Sequence, residues 1–588
     1  MLGDFADAEF EHKGVITQFS RDGESFYVET EGSDGEQRRF DVEGVAGVAP
    51  LQQYIVATEE GRLQALDVAW DAELGRWYHL YPEQELAPGN GLHWTGAYKS
   101  WNARCAECHA TGYRKNYDPK TGRYDSTQAE IGVGCEACHG PGEAHVGWAE
   151  EKTIDPARWS RLTEKGFTIS FAQTSAETEI QQCAGCHARR EPLDDGNPLP
   201  GTDFHDAYRP AFLREGLYHA DGSIQDEVYV YGSFLQSKMY AQGVRCSDCH
   251  EPHQAGLKAE GNALCAQCHS PDGNPRFPSL QPAVYDDPSH HFHEPGSKAA
   301  ACKSCHMVER RYMGIDGRRD HSFRIPRPDL SDETGAPNAC TDCHQDRDAS
   351  WAAAETAERF PESTRRGPHF SQTFAAARMN PQAVNEELLT IAEDNETAGI
   401  VRATALDLLH PVADPVTAAR AETLLDDADP LVRLAAVPLQ RGAEESDRVD
   451  RLVPLLNDSR KAVRIAAARE FLDAPLSGLS SDSIDVVQNA MREWQASLLA
   501  KTDFPETHMA IGGAALVQRN TQAAEHAFRE AVRLDPQLVQ GWVMIGRILA
   551  VTGDTEGARS ALDEALVANP SDQILTSLRD QLGAAKGQ

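Results

Sequence analysis

The chain has 588 residues, 40% of them hydrophobic, and a formal net charge of -35 at pH 7. That length exceeds one core and predicts three or four domains. The acidity is spread along the chain and no long basic run exists to neutralise a phosphate backbone, which excludes nucleic-acid binding as a function class.

Residues 1–98 are expected to form a small β-rich unit. Short runs such as "GVITQF", "SFYVET", "QYIVAT" and "LQALDVAW" alternate apolar and polar positions, and "SRDGES" and "EEGR" separate them as turns. No catalytic constellation is visible in this unit. Its first residues, "MLGDFADAEF", lack the basic start and apolar run of a leader peptide, and no stretch of the chain is apolar for long enough to span a membrane.

Residues 99–345 hold all 14 cysteines, and every one lies in a CxxCH unit. The seven units are Cys105/Cys108/His109, Cys135/Cys138/His139, Cys183/Cys186/His187, Cys246/Cys249/His250, Cys265/Cys268/His269, Cys302/Cys305/His306 and Cys340/Cys343/His344. CxxCH is the attachment signature of c-type haem. Cysteines at i and i+3 lie one helical turn apart on one face. Each thiol forms a thioether with a porphyrin vinyl group, and the adjacent histidine becomes the proximal iron ligand. Structural zinc also uses CxxC pairs but does not require the histidine to be adjacent. Seven complete units therefore predict seven covalent c haems.

First cysteines of successive units are 30, 48, 63, 19, 37 and 38 residues apart. Segments of that size rarely support a protein core of their own, so the cofactors are expected to replace one, with little regular structure beyond a short helix at each motif. Haems at this density are expected to lie in near contact.

Each iron has a second axial position. Nine further histidines lie in or beside the segment: His93, His145, His205, His219, His253, His290, His291, His293 and His321. Three methionines, Met239, Met307 and Met313, are too few to fill seven positions. The distal ligands are expected to be His145, His205, His219, His253, His291, His293 and His321. In "SHHFH", an extended strand would put His291 and His293 on one face. The arginines around His321 are candidates to pair with haem propionates.

After a stretch of linker and helices over 346–385 the chain becomes helical and repetitive. Over 386–500, Arg402, Arg433 and Arg464 recur at intervals of 31 within similar apolar helices, a HEAT-like pattern. Over 501–588, His508/Trp542, Gly512/Gly546, Ala524/Ala558, Phe528/Leu562, Ala531/Ala565 and Pro536/Pro570 recur at 34, the tetratricopeptide spacing. Such a solenoid either packs without a ligand or docks a protein partner. The fold class expected is multidomain: a β unit, a haem-packed cytochrome core and an all-α solenoid. The repeat region is expected to fold separately from the haem segment.

The stretches "PLQQYIVATEEGRLQALDVAWD", "HWTGAYKSWNARCAECHATGYRKNYDP", "GVGCEACHGPGEAHVGWA", "GVRCSDCHEPH" and "RRDHSFRIPRPDLS" resemble multihaem c-type cytochromes with C-terminal tetratricopeptide repeats. These are related to the tetrahaem cytochrome that accepts electrons from hydroxylamine oxidoreductase. The resemblance implies electron transfer between redox partner proteins in the periplasm or another extracytoplasmic compartment. Relatives carry a leader and one more CxxCH upstream, which implies an eighth haem and a histidine such as His93 as its distal ligand. Catalytic multihaem enzymes often alter the motif at the active haem. All seven motifs here are regular, which favours a carrier over an oxidoreductase acting on a small nitrogen or sulfur compound. The tyrosine-rich "YVYGSFLQSKMY" before Cys246 is the feature that keeps the oxidoreductase reading open.

Overall fold

The computed structural model describes residues 1–150, 162–163 and 165–584. The N-terminal unit is an antiparallel meander of seven strands in sequence order. The strands are β1 (Ala8–His12), β2 (Val15–Asp22), β3 (Ser25–Glu31), β4 (Gln37–Ala46), β5 (Leu51–Ala57), β6 (Leu63–Asp71) and β7 (Arg76–His79). Alternation puts Phe19, Val28, Tyr54, Val56 and Leu66 on one face, where they form a core with Phe5 and Trp94. The sheet curls until its ends meet: Phe19 of β2 stacks on Trp77 of β7 at 3.5 Å, and His12 of β1 stacks on His79 of β7 at 4.1 Å.

The cysteine-rich segment is a set of short pieces. Six motifs lie on or touch a helix: Ala106–His109, Cys135–His139, Ala176–His187, Cys246–Cys249, Ala263–Ala266 and Cys302–His306. Two-stranded ladders of two to four residues link them. The expectation of a short helix at each motif is corrected at Cys340 and Cys343, which lie in a turn. The Asn338 side-chain carbonyl accepts from the amides of Cys340 and Thr341, each at 3.1 Å, and so caps a single turn, closed by the His344 amide on the Cys340 carbonyl at 2.9 Å, that does not continue as a helix.

From residue 349 the chain is helical. Gly399–Leu409, Pro430–Ala436 and Lys461–Arg469 are successive equivalents at the 31-residue period. The repeated arginine has one job in each. Arg402 donates to Asp427 at 2.6 Å, Arg433 to Asp458 at 2.8 Å and Arg464 to Glu493 at 2.6 Å, so each turn of the solenoid is tied to the next. The 34-residue period yields Pro505–Val517, Thr521–Leu534, Val539–Val551 and Thr555–Ala568, with Phe528, Trp542 and Leu562 in a separate core. Gly512 lies where a Cβ would stand 2.6 Å from the Phe528 ring, which is why the repeat carries glycine there.

The expected boundary between the haem segment and the helical region does not divide the core. One hydrophobic cluster joins Ile180, Phe204, Tyr208, Phe212, Leu213, Tyr218, Tyr231 and Leu235 to Phe374, Leu389, Ile400, Leu406, Val432 and Leu456. Polar ties reinforce it: the Leu213 amide donates to Thr404 at 3.1 Å, and Arg214 donates to both carboxylate oxygens of Asp407 at 2.8 and 2.7 Å. The expectation that cofactors replace a protein core is therefore corrected for residues 180–235, where bulky side chains pack against the solenoid. Tyr231, from the tyrosine-rich stretch, is one of them and lies 4.9 Å from the Phe204 ring.

Candidate haem centres

None of the 14 cysteines is in a disulfide. Thiols of different motifs nevertheless meet. Cys108 adjoins Cys186, Cys183 adjoins Cys246, and Cys265 adjoins Cys302, closely enough for the members of each pair to perturb each other's ionisation. Cys138 lies in electrostatic range of Cys183, Cys249 of Cys268, and Cys305 of both Cys340 and Cys343. The attachment points thus form one connected series: the first motif adjoins the third, and the third, fourth, fifth, sixth and seventh follow. The second motif joins at the third as a branch.

The 14 expected attachment residues are not equally enclosed. Cys343 and Cys135 are exposed, whereas the others are half-buried. Position in the series explains both. Cys343 belongs to the last motif, so no later motif packs over it, and residues 342–348 around it are exposed throughout. Cys135 opens the branch motif.

The histidines form a second pattern. His139 and His253 have ring centroids 6.3 Å apart and planes 4° from parallel. His250 and His321 are 6.3 Å apart at 23°, His306 and His290 6.3 Å at 11°, and His344 and His293 6.3 Å at 33°. Direct stacking brings aromatic rings much closer, as His12 and His79 at 4.1 Å show. A metal–imidazole bond is about 2 Å, and the ring centre lies about 1 Å beyond the nitrogen, so two imidazoles sharing one metal have centroids about 6 Å apart. Four motif histidines therefore face a second histidine across a gap of metal-ligand width.

Outer contacts orient several of these rings. His306 Nδ1 donates to the Arg324 carbonyl at 2.6 Å and His321 Nδ1 to the Arg319 carbonyl at 2.9 Å. His293 Nδ1 donates to the His291 carbonyl. In a neutral imidazole that leaves Nε2 as the free lone pair. Burial lowers the pKa of His109, His139, His187, His250 and His269 among the motif histidines, and of His290 and His321 opposite them. Each ring is held in the neutral form that binds metal.

Of the expected distal residues, His253, His293 and His321 stand in such pairs. His290 stands opposite His306, whereas its neighbour His291 was the residue expected among the distal ligands. The reason is local. Asp287 caps a helical turn, Pro288–His291, with Pro288 at its first position, and Phe292 follows at φ 56°. The segment is not extended, so alternation does not apply. The Asp-Pro pair was the available signal.

The other choices lie elsewhere. His145 stacks on Phe167 at 3.9 Å and donates from Nδ1 to the Lys165 carbonyl at 2.9 Å. His205 is buried against the solenoid, near Arg460 and Arg433, and its Nδ1 has no partner. His219 sits in a turn closed by its own amide on the Ser223 carbonyl. Among the described residues, none of these and no other histidine faces His109, His187 or His269 at the 6.3 Å spacing. His93 is buried with Nδ1 2.7 Å from Thr95 Oγ1. The arginines near His321 are already committed: Arg318 pairs with Glu227 at 2.5 Å and Arg319 with Glu309 at 2.7 Å.

The surroundings fit a large flat apolar group. Ile131 and Val133, beside Cys135, are 92% and 61% exposed. Leu257, paired across a ladder with His250, is 54% exposed. Bare aliphatic side chains gathered at thiol pairs are what a porphyrin face covers. Among the described residues no group of three His, Cys, Asp or Glu side chains is arranged to hold a lone metal ion.

Comparison with known proteins agrees at the level of segments. Residues 82–140 match the family model of cytochrome c554 and c-prime, and residues 238–274 match the doubled CXXCH motif. Residues 509–573 match the tetratricopeptide repeat model. No curated protein matches the chain. Among solved structures, the outer cell wall cytochrome OcwA is similar over 68% of this chain and 86% of its own, at 14% identity and a TM-score of 0.38. Among the described residues no helix is long and apolar enough to cross a membrane.

Proposed function

We propose that the chain is an electron-transfer cytochrome carrying seven c haems, one per CxxCH motif. The attachment residues are Cys105 with Cys108, Cys135 with Cys138, Cys183 with Cys186, Cys246 with Cys249, Cys265 with Cys268, Cys302 with Cys305 and Cys340 with Cys343. His109, His139, His187, His250, His269, His306 and His344 are the proximal ligands. His253, His321, His290 and His293 are the distal ligands of the second, fourth, sixth and seventh centres. The observation that carries this reading is the common 6.3 Å spacing of four motif histidines to four others far from them in sequence.

Covalent c haem supplies one-electron redox chemistry at an iron whose potential is set by its axial ligands. The chain's own part is to close the second, fourth, sixth and seventh centres with paired imidazoles and to line the attachment points up as a conduit. Paired imidazoles favour low potentials relative to a thioether ligand. The connected series of thiols supports passage from the seventh motif to the first, with the second as a side branch. The exposed seventh motif, at Cys343, is the end of that series most open to a redox partner. The helices over 386–500 are read as HEAT-like, and the repeats as a frame that docks such a partner outside the cytoplasm. Intact mass and a pyridine haemochrome count on protein made with export and haem-attachment machinery should give seven haems per chain. A zinc-loaded, iron-free product overturns the proposal.

One observation favours a second reading. His109, His187 and His269 have no histidine opposite them among the described residues. An iron left with one protein ligand is an open site, and an oxidoreductase acting on a small nitrogen or sulfur compound would use it. Carbon monoxide or nitrite binding at a substantial high-spin fraction in the unmodified protein selects this reading over the closed carrier.

A further inference from the structure

The segment carrying the first motif is gripped by the far end of the chain. Arg104 directly precedes Cys105, and its two terminal nitrogens donate to the two carboxylate oxygens of Glu506 at 2.7 and 3.0 Å. The same guanidinium lies 3.6 Å over the Phe504 ring. Lys115, six residues after His109, donates to Asp503 at 2.5 Å, with side chains only 8% and 1% exposed. Tyr124 donates its hydroxyl to the same carboxylate at 3.1 Å, and Tyr98 donates to Asp535 at 3.1 Å. Lys501 pairs with Glu191, just after the third motif. The turn Lys501–Glu506, which leads into the first tetratricopeptide helix, therefore contacts the chain on both sides of the first motif and beside the third.

We propose that this turn tunes the first haem centre. Glu506 acts as a positioning residue that fixes and neutralises the Arg104 charge beside Cys105 and so sets that centre's reduction potential. This rests on the reading that Cys105, Cys108 and His109 hold a haem. The physical argument is electrostatic. Oxidation adds a positive charge at the iron, so a nearby carboxylate stabilises the oxidised state and a nearby guanidinium destabilises it. A paired Arg–Glu fork with an aromatic floor leaves little net charge and little freedom to swing. Removing one partner uncovers the other. A purely structural strap would change stability without a sign that follows the charge removed.

The test uses the full-length holoprotein and follows each centre by spectroelectrochemistry, with haem counted in parallel. Glu506→Gln keeps the shape, bares the Arg104 charge and should raise the potential of one centre. Arg104→Gln should lower the potential of that same centre, the double variant should return it toward the parent value, and Glu506→Asp should keep it. The remaining centres should not move. With haem content intact, a centre that does not move, shifts of the same sign in both single variants, or equal shifts at all centres overturn the proposal. Absence of a haem at the first motif, seen in the haem count of a Cys105→Ser/Cys108→Ser variant that loses none, overturns the underlying reading instead. Glu506 is 54% exposed, so its replacement by glutamine spares the fold.

Discussion

Replacing His290 by alanine should do two things that replacing His291 does not. It should leave the sixth iron with one protein ligand, giving one new carbon monoxide-binding, high-spin centre per chain. It should also release a tether. His290 and His306 are 16 residues apart, and two ligands on one iron close the chain between them as a covalent bridge does. Loop-closure entropy for that length is about 3 kcal/mol, so local opening of the loop should become about a hundredfold more frequent. The other pairs close longer loops: 51 residues for His293/His344, 71 for His250/His321 and 114 for His139/His253. The corresponding terms are about 4, 4.4 and 4.8 kcal/mol, because the cost grows only with the logarithm of length. Alanine at His290, His293, His321 and His253 should therefore destabilise in that order, with small steps after the first. Hydrogen exchange on the haem-loaded protein reads the opening, and the carbon monoxide difference spectrum reads the iron. If His291→Ala opens an iron and His290→Ala does not, or if His253→Ala costs less than His290→Ala, the pairing inferred from ring spacing is wrong.

Three further outcomes follow from the fold. Asp503→Asn leaves Lys115 buried without its counter-charge and should cost about 3–5 kcal/mol; chemical denaturation measures it, and an apolar replacement of both partners should recover most of the loss. Ile400→Ala, at a side chain 1% exposed in the shared core, should cost about 2–5 kcal/mol. The haem spectrum should then shift and helical ellipticity fall in one transition; two separate transitions would restore the expected independence of the repeats. Burial beside Arg460 and Arg433 pushes the pKa of His205 down to about 3, against about 6.5 in the unfolded chain. The unfolded state thus binds more protons between these values, so stability present above about pH 6.5 declines as pH falls toward 3. His205→Gln should flatten that acid limb in denaturation curves taken from pH 7 to pH 4, and an unchanged slope would contradict the assignment.

The sequence made some features legible because their signals are local. CxxCH names its own chemistry. The 31- and 34-residue periods reported helices whose arginine and glycine positions recur for a packing reason. Strand alternation reported the meander. Other features were hidden because they depend on distance in the fold. Nothing in "CHEPH" says that His253 faces His139 rather than another motif. Seven identical motifs gave no hint that Cys343 would be exposed while Cys305, beside it in space, is half-buried. His205 and His321 look alike in sequence, yet one lies under the solenoid and the other stands across from His250. The shared core was hidden for a related reason: the haem segment was expected to have little regular structure and no protein core, and its partners Ile400 and Leu406 read as the inside of a separate repeat. That His290 faces His306 was hidden by an assumption of extended backbone, which the Asp-Pro pair before it contradicts.

The meeting of thiols from different motifs has a consequence for how the protein is made. Cys108 with Cys186, Cys183 with Cys246 and Cys265 with Cys302 are neighbours in the fold. A haem-free chain that closed fully in an oxidising compartment would hold three ready sites for cross-motif disulfides. Each such bond would consume one thiol from each of two attachment pairs. The completed fold is therefore a dead end for loading, and thioether formation has to run ahead of closure. The solenoid supplies the needed delay, because Thr404, which caps the Leu213 amide, lies 191 residues further along the chain and emerges only after the fourth to seventh motifs have appeared.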